Sequence, residues 1–215
     1  MTILEFYDQL KIIPPNLVRH HLEVGAVTQF LLNHWQGKRI DKGLTLRTAL
    51  LHDVGNLVKY TFPLETRMYH EVIADEAYWH KKHQELVKKY GRDADLVTEQ
   101  ILKEQGFEKE AGLLAEIRLG KYVDKLKDVG YEAKLVFLAD GTVSPQGVVG
   151  IQARMNDVKK RYAGNEKVFL WVKALKANQR LLQPYIGFDL TKLTEVDFYP
   201  LIEKLKNYQL PLAKS

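Results

Sequence analysis

LTLRTALLHDVGNLVKY, residues 44–60, sets an adjacent histidine and aspartate, His52 and Asp53, among Ala49, Leu50, Leu51, Val54 and Leu57. The apolar residues recur at helical steps, so the stretch reads as a helix. An aspartate in such company is expensive to bury alone. A cation would offset that cost and would also accept the neighbouring imidazole nitrogen.

The same period holds almost everywhere on either side of this stretch. Residues 15–36 open on Pro14-Pro15 and carry Leu17, His20, Val24, Val27 and Leu31 at steps of three and four. Pro63 breaks the chain after residue 60, and a charged helix is expected from Tyr69 to Tyr90, ending at Gly91. Asp93 reads as the cap of the next helix, which stops before Gly106. Further helices are expected near 108–118, 121–128, 131–140, 151–163, 166–183 and 194–206, with a loop at 141–150. Hairpin signals, internal repeats and low-complexity segments are lacking. The expectation is an all-α helical bundle with additional C-terminal helices, forming a single domain over residues 1–215.

Two further segments carry chemistry. In RHHLEVGAV, His20 shares the stripe of Leu17, Val24, Val27 and Leu31, whereas His21 lies ~100° away on the helix wheel. His20 is therefore the expected inward residue. In AKLVFLADGTVSP, Asp140 ends a face formed by Ala133, Val136 and Phe137. His20, His52, Asp53 and Asp140 together make a mixed nitrogen and oxygen ligand set. The chain has 215 residues and no cysteine, which excludes disulfides, thiolate zinc sites and a cysteine nucleophile. The donor set thus suits one divalent ion from Mn, Fe, Co, Zn or Mg.

The ordered set His20 … His52-Asp53 … Asp140 resembles the HD-domain metal-dependent phosphohydrolase superfamily. LLHDVGN is similar to its central motif and LADGTVSP to its last aspartate. The AYW…KKYGRD segment (Ala77 to Asp93) and the helix Arg154 to Tyr162 resemble an uncharacterised subgroup of predicted bacterial and archaeal members. The likeness spans about residues 15–165, leaving helices 166–206 as additions. It implies an HD-type helical bundle and a metal-dependent phosphatase or phosphodiesterase. His52 and Asp53 would be catalytic, using a metal-activated water on a nucleotide or another small phosphorylated compound.

Two positions depart from the pattern. Asn56 stands where many members have lysine, and Lys59 is the nearest replacement. Asp95 stands where the subgroup pattern leads one to expect histidine, so Asp95 and His70 are candidates for a second metal or for the pocket. Arg19 and Lys59 are candidate contacts to substrate phosphate, with Arg67 behind them. Glu65, Glu71 and Asp75 are unranked candidates for a general acid. His80 and His83 sit beside lysines and read as a solvated face. Tyr78, Trp79, Tyr90 and Tyr122 read as packing material.

The net charge of +5 suits an anionic partner without naming one. Lys159-Lys160-Arg161 and the lysines near His80 read as helix surface, with nucleic acid a minor possibility. No targeting segment and no ~20-residue apolar span is visible, so a cytoplasmic protein with no membrane partner is expected. There are two rival readings: an HD-fold di-iron oxygenase, whose extra ligands would come from His70, His80 and Asp95, and a non-catalytic nucleotide-binding module that keeps the metal site.

Overall fold

A computed structural model of the chain describes residues 1–64 and 74–211. Three helices occupy the centre: α2 (Pro15–Asn33), α3 (Lys42–Leu51) and α7 (Tyr131–Asp140), which pack on one another. Their contact faces hold Val24, Val27, Leu31, Ala49, Leu50, Leu135 and Phe137, all essentially inaccessible to water. Burying side chains of this size at about 1.5–3 kcal/mol each gives the element pairs their main cohesion.

Local sequence sets the ends. Pro15 starts α2, where its missing N–H costs nothing. Asp41 caps α3 by accepting from the Leu44 amide at 2.9 Å. The helix expected over 44–60 stops at Leu51, and Asn56–Lys59 form a 3-10 turn. The reason lies in the Gly55 amide, which donates to the Thr98 hydroxyl at 3.0 Å. Thr98 belongs to α5 (Ala94–Glu104), and that helix comes so close that a β-carbon on Gly55 would lie 2.6 Å from the Thr98 nitrogen. Only glycine permits the approach.

Other expected elements hold within a residue or two: α5, α6 (Glu108–Gly120), α8 (Gly150–Arg161) and α9 (Glu166–Leu182). Asp93 caps α5 as expected. The helix expected from Tyr69 starts only at Glu76 as α4 (Glu76–Tyr90), because Asp75 takes a left-handed conformation and caps it. Four further expectations change. The helix expected at 121–128 is a run of turns with a 3-10 turn at Leu126–Asp128. The loop at 141–150 contains a short antiparallel hairpin, β1 (Val143–Ser144) with β2 (Gly147–Val148). The last helix, α10, begins only at Tyr199, because Pro200 cannot lie inside a helix running from residue 194; Leu190–Glu195 is a separate 3-10 turn. Finally, an unforeseen helix α1 (Ile3–Leu10) opens the chain, started by a reciprocal Thr2–Glu5 capping box.

The later helices close over the central three. α10 packs on α2 and α9 on α7. At Gly141 a β-carbon would meet the Leu175 side chain at 2.3 Å, so α9 lies directly over the end of α7 that carries Asp140. Among the described residues no helix is long and apolar enough to cross a membrane.

Candidate metal centre

Three elements bring their side chains to one point. His20 projects from the second turn of α2, His52 follows the last turn of α3, and Asp140 is the last residue of α7. His20 Nε2 lies 3.2 Å from His52 Nε2 and 3.3 Å from Asp140 Oδ1. His52 Nε2 is 3.7 Å from the same Asp140 oxygen and 3.7 Å from Asp53 Oδ2. An ion with bonds of about 2.1 Å to its ligands separates neighbouring ligand atoms by about 3.0–3.4 Å. Two edges of the three-atom cluster are of that size and the third, from His52 to Asp140, is 3.7 Å; the group could hold an ion.

The donor chemistry fits too. His52 Nδ1 is 2.8 Å from the Ala49 carbonyl, which fixes the proton on Nδ1 and turns the Nε2 lone pair into the cluster. Two imidazole nitrogens at 3.2 Å cannot both present lone pairs unless a cation stands between them. In the metal-free protein a proton does this. Burial pulls the His52 pKa down, but Asp53 and Asp140 outweigh it and push it up to about 9. Burial raises the Asp140 carboxyl, yet the His20 and His52 rings outweigh that and hold it well below the usual carboxylate range. Asp53 is likewise lowered against burial, first by His52 and then by Lys59.

Asp53 sits at the edge of this group. Its Oδ2 accepts from the Asn56 amide at 2.7 Å, so Asn56, the residue that departs from the lysine pattern, orients the aspartate. Cationic charge comes from elsewhere. Lys59 acts on Asp53 from the following 3-10 turn, and Lys121 enters from the end of α6. Lys121 Nζ pairs with Asp95 at 2.6 Å and also feels Asp53 and Asp140, which with Asp95 raise its pKa against burial.

The cluster opens onto a cleft of about 590 Å³. His20, Asp53 and Asp140 form its floor, and Arg19, Asn56, Lys59 and Lys121 line it nearby. Both phosphate candidates therefore border the cleft. Arg19 is already engaged: Nη2 donates to the Pro145 carbonyl at 2.5 Å and Nε lies 3.6 Å from Glu23. A side cavity of about 40 Å³ between His52, Asp95, Lys121 and Asp140 lies behind the cluster. Asp95 thus borders the site, but its carboxylate faces Lys121.

Several expectations change here. His21, not His20, is the fully buried histidine; it packs between Tyr7 and His52 at centroid distances of 5.3 Å. Burial drives its pKa well below the ordinary value, which keeps it neutral behind the ligands. His20 reaches the cluster because it faces the cleft rather than the core. Of the two histidines on α4, His80 is exposed and stacks on Phe62 at 4.7 Å, while His83 is buried. The proposed aromatic packing set is partly wrong: Tyr78, Trp79 and Tyr90 are half-buried and Tyr122 is 41% exposed. Asp75 caps α4 by accepting from the Tyr78 amide and does not border the cleft. His70, Glu65, Arg67 and Glu71 lie outside the described residues.

Sequence reasoning missed the far wall. Arg154 and Arg161 line the cleft from α8, with Tyr162 and Trp171 beside them. Their spacing was the available signal: Arg154, Val158 and Arg161 share one helix face, so Arg161 turns inward while Lys159 and Lys160 stay exposed.

A helical bundle with a two-histidine, one-aspartate group at the bottom of a cleft defines a class of metal-binding α-proteins. The family model for the HD domain matches residues 17–142, more than half of the chain. The chain belongs to the HD domain family, whose members bind divalent metals and are generally hydrolases. Comparison with curated proteins and with solved structures gives no match.

Proposed function

We propose that the protein is a metal-dependent phosphohydrolase, a phosphatase or phosphodiesterase, acting on a nucleotide or another small phosphorylated compound. The convergence of His20 Nε2, His52 Nε2 and Asp140 Oδ1 at the floor of the cleft carries this reading. His20, His52, Asp53 and Asp140 would hold one divalent ion. When bound, the ion would polarise a phosphoryl oxygen and acidify a water.

The remaining work falls to the chain itself. Asn56 fixes the Asp53 carboxylate, and the Ala49 carbonyl fixes the His52 tautomer. Lys59 and Lys121 supply positive charge along the same wall, where a phosphoryl group gains negative charge. Hydrolysis is favoured over dioxygen chemistry because two of the candidate extra ligands are engaged elsewhere. Asp95 faces Lys121 and His80 stacks on Phe62. Cytoplasmic location and a nucleotide substrate are part of the same proposal.

A screen of phosphate release across nucleotides and phosphodiesters, with Mn²⁺, Co²⁺, Mg²⁺ and Zn²⁺ added in turn, tests it. Turnover that disappears in Asp53→Ala is the expected result. Tight nucleotide binding with metal present and no turnover on any substrate would replace the enzyme with a binding module.

A further inference from the structure

The cleft is far larger than a single phosphate requires, and its size matches sites that enclose whole small molecules. Its wall opposite the histidines comes from α8 and the start of α9, residues that follow the matched family region. Two arginines dominate that wall. Arg154 Nη1 lies 3.0 Å from Asp157 Oδ2, while Arg161 reaches Asp157 through Nε at 2.9 Å and Nη2 at 2.5 Å. Asp157 thus holds both guanidinium groups in place and neutralises only one of the two charges.

The pair is built into the wall. The Arg154 and Arg161 side chains are only 16% and 23% exposed, although both border the cleft. Arg154 Nε is buried and has no hydrogen-bond partner among the described residues. A buried donor left unpaired costs about 1–3 kcal/mol, so Asp157 alone does not satisfy the Arg154 guanidinium. Guanidinium groups take phosphate oxygens in a two-pronged fashion that lysine cannot reproduce. The first turn of α9, with Asn165 and Val168 on the cleft, adds a helix N-terminus beside them. Arg161 also lies 5.4 Å from the centre of the Tyr162 ring, which gives the wall an aromatic surface.

We infer that Arg154 and Arg161, held by Asp157, form a second anion subsite that binds a phosphoryl group other than the one at the metal centre. The substrate class is then an organic compound with at least two phosphoryl groups, of which a nucleoside diphosphate is the simplest probe. Naming this ligand a substrate rests on the phosphohydrolase reading of the same cleft. The subsite itself does not depend on the ion.

Calorimetric titration of the full-length, chelator-treated protein with ADP, AMP and adenosine tests the subsite. ADP should bind at least about tenfold more tightly than AMP, the worth of one charge-assisted contact. Arg161→Gln and Arg154→Gln should remove that gap. Arg161→Lys keeps the charge and should retain only part of it, and it carries the test if the glutamine variants do not fold. Asp157→Asn should leave ADP affinity unchanged or higher while lowering the melting temperature. Equal binding of ADP and AMP by the wild type would overturn the inference. So would arginine variants that lower the melting temperature as Asp157→Asn does yet leave ADP affinity intact, since the triad would then be a structural ion pair. ADP bound through the arginines by a protein that hydrolyses nothing would sink the phosphohydrolase reading and leave the subsite standing.

Discussion

The two walls of the cleft are made of opposite materials. On one side His20, His52, Asp53 and Asp140 project from buried apolar helices, and their geometry is fixed by packing: Gly55 against Thr98, Gly141 beneath Leu175. On the other side Arg154 and Arg161 project from α8, whose outer face is exposed, and a single carboxylate, Asp157, fixes them. The first wall lies within the HD-domain match and the second follows it. The contrast teaches where tolerance lies. A ligand set built into a core fails as a unit, whereas a subsite on a surface helix can change one contact at a time.

Removing one member of the metal wall should have the largest effect. Asp140→Asn or His20→Ala is expected to lower metal affinity and phosphate release by more than about a hundredfold, beyond what loss of an outer supporting contact costs. Mn²⁺ titration and a turnover assay read both. Retained turnover in either variant would show that the cluster does not hold the reactive ion.

The packing behind that wall comes next. Gly55→Ala forces a β-carbon against the Thr98 backbone and should cost about 1–3 kcal/mol, read as a lower midpoint in urea denaturation. An unchanged midpoint would mean that α5 can retreat.

Acidity probes the same wall without mutation. The His52 pKa rises from 6.5 to about 9 in the metal-free fold, so its stabilising contribution is fully present below pH 6.5 and is lost as pH rises through about 9. An ion needs that nitrogen unprotonated. Metal affinity should therefore climb by about tenfold per pH unit between 6.5 and 9, while the chelated protein loses stability over the same window. A flat affinity profile would place the proton elsewhere.

The smallest effect belongs to the outer face of α8. Lys159→Ala with Lys160→Ala should leave stability within about 0.5 kcal/mol and nucleotide affinity unchanged. A large loss of nucleotide affinity in that double variant would mean that ligand binds the outer face of α8 as well as the cleft.

Legibility followed the same division. The helices were readable because apolar residues keep the helical period through α2, α3 and α7, and the same period placed Asp140 at the end of a core face. The apolar stripe points to His20 as the buried histidine although His21 is the one in the core, because two adjacent histidines both border apolar residues and only the third dimension separates core from cleft. Asn56 could be seen as a departure from lysine, but its bond to Asp53 depends on the turn that Gly55 and Thr98 impose. Arg161 was concealed in a run of three basic residues, where composition suggests solvent and only helix phase shows that one of them turns inward. Asp95 looked like a pocket residue and does border the site. Its partner Lys121, 26 positions on in the chain, could not be read from local pattern.

Titration of the chelated protein with Mn²⁺ at pH 8, wild type beside His52→Ala, asks whether this cluster holds the ion. One ion per chain in the wild type and none in the variant is the predicted result. Equal binding by both proteins, or no binding by either, would contradict it.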